Sequence, residues 1–129
     1  MGTLTMRGAC PTGLARVQSA DLAENDPAAY FKHTAAFFLS NGGTIERIAR
    51  MTGMRQYSVN VDTDPTRPKL TMRIPCIRRH VVVTLDKGSD TYELDITTYH
   101  GRRTGGMRGI YNDQLARVAR DLTGVAFHL

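Results

Sequence analysis

The spacing of the apolar residues changes at Gly53, and this change constrains the fold more than any other feature of the sequence. Before Gly53, apolar residues recur at helical spacing, as at Phe31, Ala35 and Phe38. After it, apolar and polar residues alternate, which is typical of strands with one buried face. Short turns separate these strands, so neighbours must run antiparallel, and their apolar face needs helices to cover it. The sequence therefore predicts a two-layer α+β domain, an antiparallel four- or five-stranded meander sheet covered on one face by N-terminal helices and a C-terminal helix.

Three helices are predicted from capping residues and helical stripes. Asp26 and Pro27 are a favourable start for the first, which we expect to run to about Ser40. Its stripe is expected to lie in the core and comprises Phe31, Ala35 and Phe38, widened by Tyr30, Thr34 and Phe37. The predicted start and stop residues of the other two helices are Thr44 with Gly53, and Asn112 with Gly124.

Four strands follow from alternation, and two more from weaker signals. The four apolar sets are Tyr57, Val59 and Val61; Leu70, Met72 and Ile74; Val81, Val83 and Leu85; and Tyr92, Leu94 and Ile96. A fifth, irregular strand is expected around Met107 to Ile110. The glycine-rich residues before it, Gly101 to Gly106, suit either a mobile anion-contacting loop or a plain flexible loop. Val125, Phe127 and Leu129 predict a short final strand. Residues 1–25 lack periodicity, so we expect an N-terminal arm over 1–25 and a single domain over 26–129.

Arginine dominates the basic residues. The chain of 129 residues has 17 basic and 12 acidic residues, and only Lys32, Lys69 and Lys87 are lysine. The planar arginine fork suits phosphates and carboxylates, although a GC-rich coding sequence would also favour arginine codons. A meander sorts successive turns onto alternate ends of the sheet. One end, called here the arginine end, then receives Arg55, Arg73, Arg78, Arg79, Arg102 and Arg103, with His80 and His100 nearby. The other end receives Asp62, Asp64, Asp86 and Asp90, with Arg67 and Lys87.

The arginine end admits two interpretations. Six guanidinium groups repel one another unless an anion lies between them, which favours a phosphate-bearing partner or an acidic protein surface. Alternatively, charged residues collect at wet strand ends and pair with carboxylates such as Asp95 or Asp113. Hairpin pairing about Gly88 predicts that Arg78 lies roughly opposite Thr98. Support for a base-stacking platform is weak, because the only aromatic residues near this end are Tyr99 and Tyr57, and Tyr57 is expected in the core.

The sequence carries no catalytic, cofactor or metal signature. Asp62-Thr63-Asp64 lacks the offsets of a calcium loop and predicts a turn, and the two cysteines lie far apart without zinc spacing. Cys76 is expected to be a buried or idle thiol. No apolar run is long enough for a transmembrane helix, and the N-terminus lacks the apolar core of a secretory signal. We expect a cytoplasmic protein that is not an enzyme, with no cofactor and no membrane partner.

Several short segments resemble those of a family of small proteins encoded by bacteriophages and mobile elements, most of which have no assigned function. The segments are Gly42-Gly43, Ile48 to Gly53, Val82 to Leu85, Asp90 to Leu94, Gly109 to Leu115, Leu122 to Gly124 and His128-Leu129. The resemblance implies an origin in a phage or mobile element within a bacterial cell, and an accessory protein that acts by binding.

Two functions are therefore expected. The first is a non-enzymatic accessory protein that binds nucleic acid or a ribonucleoprotein through the arginine end. The alternative is a protein-directed module, either a host-defence inhibitor such as an anti-CRISPR or a virion component, that binds an acidic protein surface. The oligomeric state stays open.

Overall fold

A computed structural model of the chain describes residues 26–127. The predicted arm, His128 and Leu129 lie outside the described residues. Two helices come first, α1 (Pro27–Leu39) and α2 (Ile45–Thr52). Five strands follow: β1 (Gln56–Asn60), β2 (Lys69–Ile74), β3 (Arg79–Asp86), β4 (Thr91–Thr98) and β5 (Arg103–Ile110). Helix α3 (Leu115–Thr123) completes the two-layer α+β arrangement.

The sheet is a meander in which every strand pairs antiparallel with its neighbours in the sequence, in the order β1-β2-β3-β4-β5. The apolar side chains of one face form a single core with the helices, centred on residues such as Leu70, Val83, Leu94, Ile48 and Leu115. The predicted fold class is confirmed, with five strands. None of the helices within 26–127 is both long and apolar enough to cross a membrane.

Local signals set most helix boundaries. The Asp26 carboxylate accepts a hydrogen bond from the backbone N–H of Ala29, and the Thr44 hydroxyl accepts one from that of Arg47. Gly53 and Gly124 end α2 and α3 in the left-handed conformation, which glycine adopts without strain. Asn112 was expected to cap the last helix, and this is wrong. It begins a short 3₁₀ turn, and α3 starts without a side-chain cap.

Three core predictions are wrong. Phe37 and Tyr30 are 45% and 41% exposed, because Ala36 and Leu39 supply the buried side of α1 instead. Tyr57 is 42% exposed, because β1 is an edge strand; its hydroxyl accepts a hydrogen bond from Lys32 at 3.3 Å.

The predicted final strand is absent over residues 125–127. Gly124 turns the chain, and the buried Phe127 packs into the core without pairing to a strand.

The glycine-rich segment forms strand β5 from Arg103 onward, so neither the mobile anion-contacting loop nor the plain flexible loop is found there. Two register shifts against β4 accommodate its irregular sequence.

Candidate nucleic-acid interface

All six predicted arginines lie at the same end of the sheet. Arg55 precedes β1, and its backbone N–H donates to the carbonyl of Arg73, near the end of β2. Arg78 ends the turn between β2 and β3 with a φ of 54°, and Arg79 begins β3. Arg102 and Arg103 lie where the turn after β4 meets β5. Three separate connections of the chain, with the strand ends beside them, therefore bring these arginines to one end of the sheet.

The register between β3 and β4 corrects one detail of the prediction. Arg79, and not Arg78, pairs with Thr98. The observed register places Val81 opposite Ile96 and Val83 opposite Leu94, so the apolar residues of both strands share the helix-covered face. A shift by one residue would place Val81 opposite Asp95, which burial of this face excludes.

The three arginines that lie within strands, Arg73, Arg79 and Arg103, divide between the two faces of the sheet. The face away from the helices is called here the polar face. In the row nearest the arginine end it carries Gln56, Arg73, His80, Thr97 and Arg103, which are partners of one another across the five strands. Arg79 has the opposite parity to His80 on β3, so it faces the helix side at the sheet's end.

Few carboxylates neutralise these arginines. Within residues 26–127, Arg103 is the one member of the set that forms an ion pair, with its Nε 2.7 Å from Oδ1 of Asp95. The alternative in which carboxylates pair the arginines therefore holds for Asp95, while Asp113 pairs with none of them among the residues described. Nη1 of Arg79 donates to the carbonyl of Arg78, which leaves the charges of both uncompensated.

Gly106 explains how Arg103 reaches Asp95. It pairs with Asp95 on β4, and a Cβ at this position would lie 2.6 Å from Nη2 of Arg103 and 3.0 Å from Oδ1 of Asp95. The missing side chain therefore leaves the room that the guanidinium occupies as it crosses to the carboxylate.

At the opposite end of the sheet, carboxylates of the protein itself neutralise the charge of Arg67. Arg67 lies 2.7 Å from Oε1 of Glu93 and 3.4 Å from Oδ2 of Asp86. The hydrogen bond that Arg67 donates to Glu93, together with the negative charge of Glu93, raises the pKa of Arg67. Asp64 accepts hydrogen bonds from the backbone and hydroxyl of Thr66, which lower the pKa of Asp64, and the predicted turn at this segment is confirmed. The two ends of the sheet therefore differ in how far their charges are satisfied.

A cluster of planar side chains lies on the polar face beside the arginine end. The Arg73 guanidinium carbon lies 4.6 Å from the centroid of the Tyr99 ring, and the His80 ring lies 5.2 Å from it at an interplanar angle of 49°. Tyr99 is 37% exposed. Sequence analysis placed Tyr99 near this end of the sheet but did not predict the cluster, because the pairing of Thr97 with His80 that brings Tyr99 close depends on the observed register.

A shallow groove of about 490 Å³ adjoins this cluster. Arg55, Arg73 and His80 line it together with Gln56, Tyr57, Ser58 and Thr71. Within residues 26–127, the side chains of Gln56, Ser58, Thr71, Arg73 and His80 make no hydrogen bond to protein. The groove therefore presents donors and acceptors that a ligand is free to use.

A second cavity of about 460 Å³ has a different character. Mainly apolar side chains line it, including Tyr30, Phe31, Val61, Pro65 and Leu85. It lies at the end of the sheet away from the arginines, so it does not contribute to their surface. Among the described residues, no three His, Cys, Asp or Glu side chains come together as a metal site requires.

Cys76 lies in the turn before Arg78 and is exposed, so of the two expected states, buried or idle, the structure excludes the buried one. Its Sγ lies 3.5 Å from the carbonyl oxygen of Thr52.

Comparison of the chain with models of known families, with curated proteins and with solved structures finds no match.

Proposed function

We propose that the chain binds nucleic acid, either free or within a ribonucleoprotein, through the arginine end. The observation that supports this function best is the placement of six arginines, in or beside three connections, at one end of the sheet, five of them without a carboxylate partner among residues 26–127. Arginine forms paired hydrogen bonds to phosphate, and backbone phosphates are the main source of affinity in most nucleic-acid complexes.

The size of the surface fits a short stretch of a nucleic-acid strand. Neighbouring strands of a sheet lie about 4.8 Å apart, so five strands span about 19 Å. A stacked nucleic-acid strand advances about 3.4 Å per nucleotide, so the arginine end matches roughly five or six nucleotides. This lies within the usual site size of sheet-based single-strand binding domains.

In this proposal the chain acts by binding, in the cytoplasm of a bacterial cell, as an accessory protein of a phage or mobile element. The proposed origin rests on the resemblance of segments such as Gly109 to Leu115 and Asp90 to Leu94, and the mode of action rests on the arginine end.

The salt dependence of binding tests the proposal. We expect fluorescence anisotropy with a labelled single-stranded oligonucleotide to show affinity falling roughly 100-fold between about 50 and 200 mM salt, as about five phosphate contacts require. Replacing Arg78→Ala together with Arg79→Ala should reduce the magnitude of the salt slope by about 1.4, because each contact contributes about 0.7.

A matched control comes from α3. Arg117 and Arg120 are exposed in the helix layer, so Arg117→Ala with Arg120→Ala removes the same charge from a different surface. Equal losses in the two double variants would show general charge attraction and contradict a site at the arginine end. Binding without a salt slope would contradict the proposal as a whole.

A protein partner is the second candidate, and exposed aromatic residues favour it. Phe37 and Tyr111 are 45% and 61% exposed in and beside the helix layer, and large exposed aromatic side chains are typical of protein interfaces. In this version the arginine end meets an acidic surface of a host-defence complex or of a virion. A pulldown from nuclease-treated lysate should then recover a defined protein, and Arg78→Ala with Arg79→Ala should abolish its recovery.

A further inference from the structure

We infer that the groove beside Arg73 holds one unpaired base, so that the preferred ligand is a single strand. This inference rests on the proposed function and narrows it to one class of nucleic acid. It starts from the juxtaposition of a planar cluster, Arg73 with Tyr99 and His80, and a groove whose polar side chains have no partner within residues 26–127.

The planar cluster offers a surface on which a base can stack. Tyr99 supports the guanidinium of Arg73 at 4.6 Å, and both Arg73 and His80 also line the groove. Unpaired bases stack on aromatic rings and on guanidinium planes. Because the guanidinium of Arg73 already rests against the Tyr99 ring, it loses less side-chain freedom when a base stacks on it than a fully solvated arginine would.

The polar side chains of the groove suit the edges of a base. Gln56, Ser58 and Thr71 lie on the polar face of β1 and β2, next to Arg73. An amide and two hydroxyls provide both donors and acceptors, as the edge of an unpaired base requires. Arg55 lines the same groove and is the charged group available to the adjoining phosphate.

A duplex could not use this arrangement. Bases within a duplex are stacked on each other and expose only their edges, so a side chain cannot cover a base face unless the base leaves the helix. The volume of about 490 Å³ also falls within the range of small-ligand sites, which fits a single nucleotide.

The test compares two ligands and three variants by fluorescence anisotropy at about 150 mM salt. The ligands are an oligonucleotide of about 12 nucleotides and the duplex of the same sequence. The variants are Tyr99→Leu, which removes the supporting ring, Arg73→Lys, which keeps the charge but not the plane, and Tyr111→Leu as an exposed-tyrosine control.

We expect the natural chain to prefer the single strand by at least about 5-fold, the lower limit of the effect of one stacked base. Tyr99→Leu and Arg73→Lys should each weaken single-strand binding by about 5- to 150-fold without changing the salt slope. Tyr111→Leu should leave binding unchanged. Circular dichroism of each variant checks that the fold is retained.

Two results would overturn the inference, and they are distinguishable. Equal affinity for both ligands, with Tyr99→Leu and Arg73→Lys binding as the natural chain does, would refute the stacking site while salt-dependent binding upheld the proposed function. An absence of salt-dependent binding to either ligand would refute both.

Discussion

The neighbouring glycines of β5 give a sharp test of how the sheet is packed. A Cβ on Gly106 would lie 2.5 Å from the backbone carbonyl oxygen of Leu94, whereas one on Gly105 would meet nothing within 4 Å. Overpacking of this kind costs about 1–3 kcal/mol, while a glycine-to-alanine change stabilises a compatible site by about 0.4–1 kcal/mol. We therefore expect Gly106→Ala to lower the free energy of unfolding by about 1–2 kcal/mol.

Gly105→Ala is the matched control, and it should leave the free energy of unfolding unchanged or raise it by up to about 1 kcal/mol. Urea unfolding followed by circular dichroism measures both variants, and an unchanged m value would show that only stability has altered. Equal stability of Gly105→Ala and Gly106→Ala would refute the argument that β5 approaches β4 too closely for a side chain at residue 106.

Three further outcomes are expected. Phe127→Ala should lower the free energy of unfolding by about 3–5 kcal/mol, because Phe127 is fully buried, whereas Phe37→Ala should change it by less than about 1 kcal/mol. Similar losses for the two variants in urea titrations would contradict the packing described. Burial raises the pKa of Tyr92 to about 12, so the stability that the neutral phenol provides is present below about pH 10 and declines as pH rises toward 12. In urea titrations across that range, Tyr92→Phe should remove up to about 3 kcal/mol of this alkaline loss of stability. An unaltered pH dependence would contradict the prediction. Cys76 should react more slowly with a maleimide when an oligonucleotide is bound, because Cys76 is exposed in the turn that carries Arg78. Mass spectrometry of the Cys10→Ser variant measures the rate, and an unchanged rate would place the ligand elsewhere.

The sequence was sufficient for the layers and the strand order, because those depend on local periodicity and on short turns. Gly53 and Gly124 ended helices as expected, since the left-handed conformation is a local property of the chain. The alternation of Val81 and Val83 with Ile96 and Leu94 also contained the correct register. Pairing about Gly88 missed it by one residue, because the loop of residues 87–90 has an even number of residues and its centre lies between Gly88 and Ser89.

The end of the sheet at which the arginines lie was also predictable, because strand reversal alone decides it. The faces of Arg73 and Arg79 follow from the same alternation, whereas the face of Arg103 depends on the register shifts between β4 and β5, which alternation does not predict. The contact of Arg73 with Tyr99 was missed for a further reason. It joins the end of β2 to the turn after β4, and such diagonal contacts depend on side-chain conformations that periodicity does not report.

The order of the strands also bears on how fast this chain can fold. Every strand pairs with its neighbour in the sequence, so each pairing closes only a short loop and loses little chain entropy. Folding rates rise as contacts become more local. The turns between strands would then act as early nucleation points, including the turn of Pro75–Ile77 that leads into Arg78. Insertions or deletions that alter the length of that turn should therefore change the folding rate as well as the binding surface.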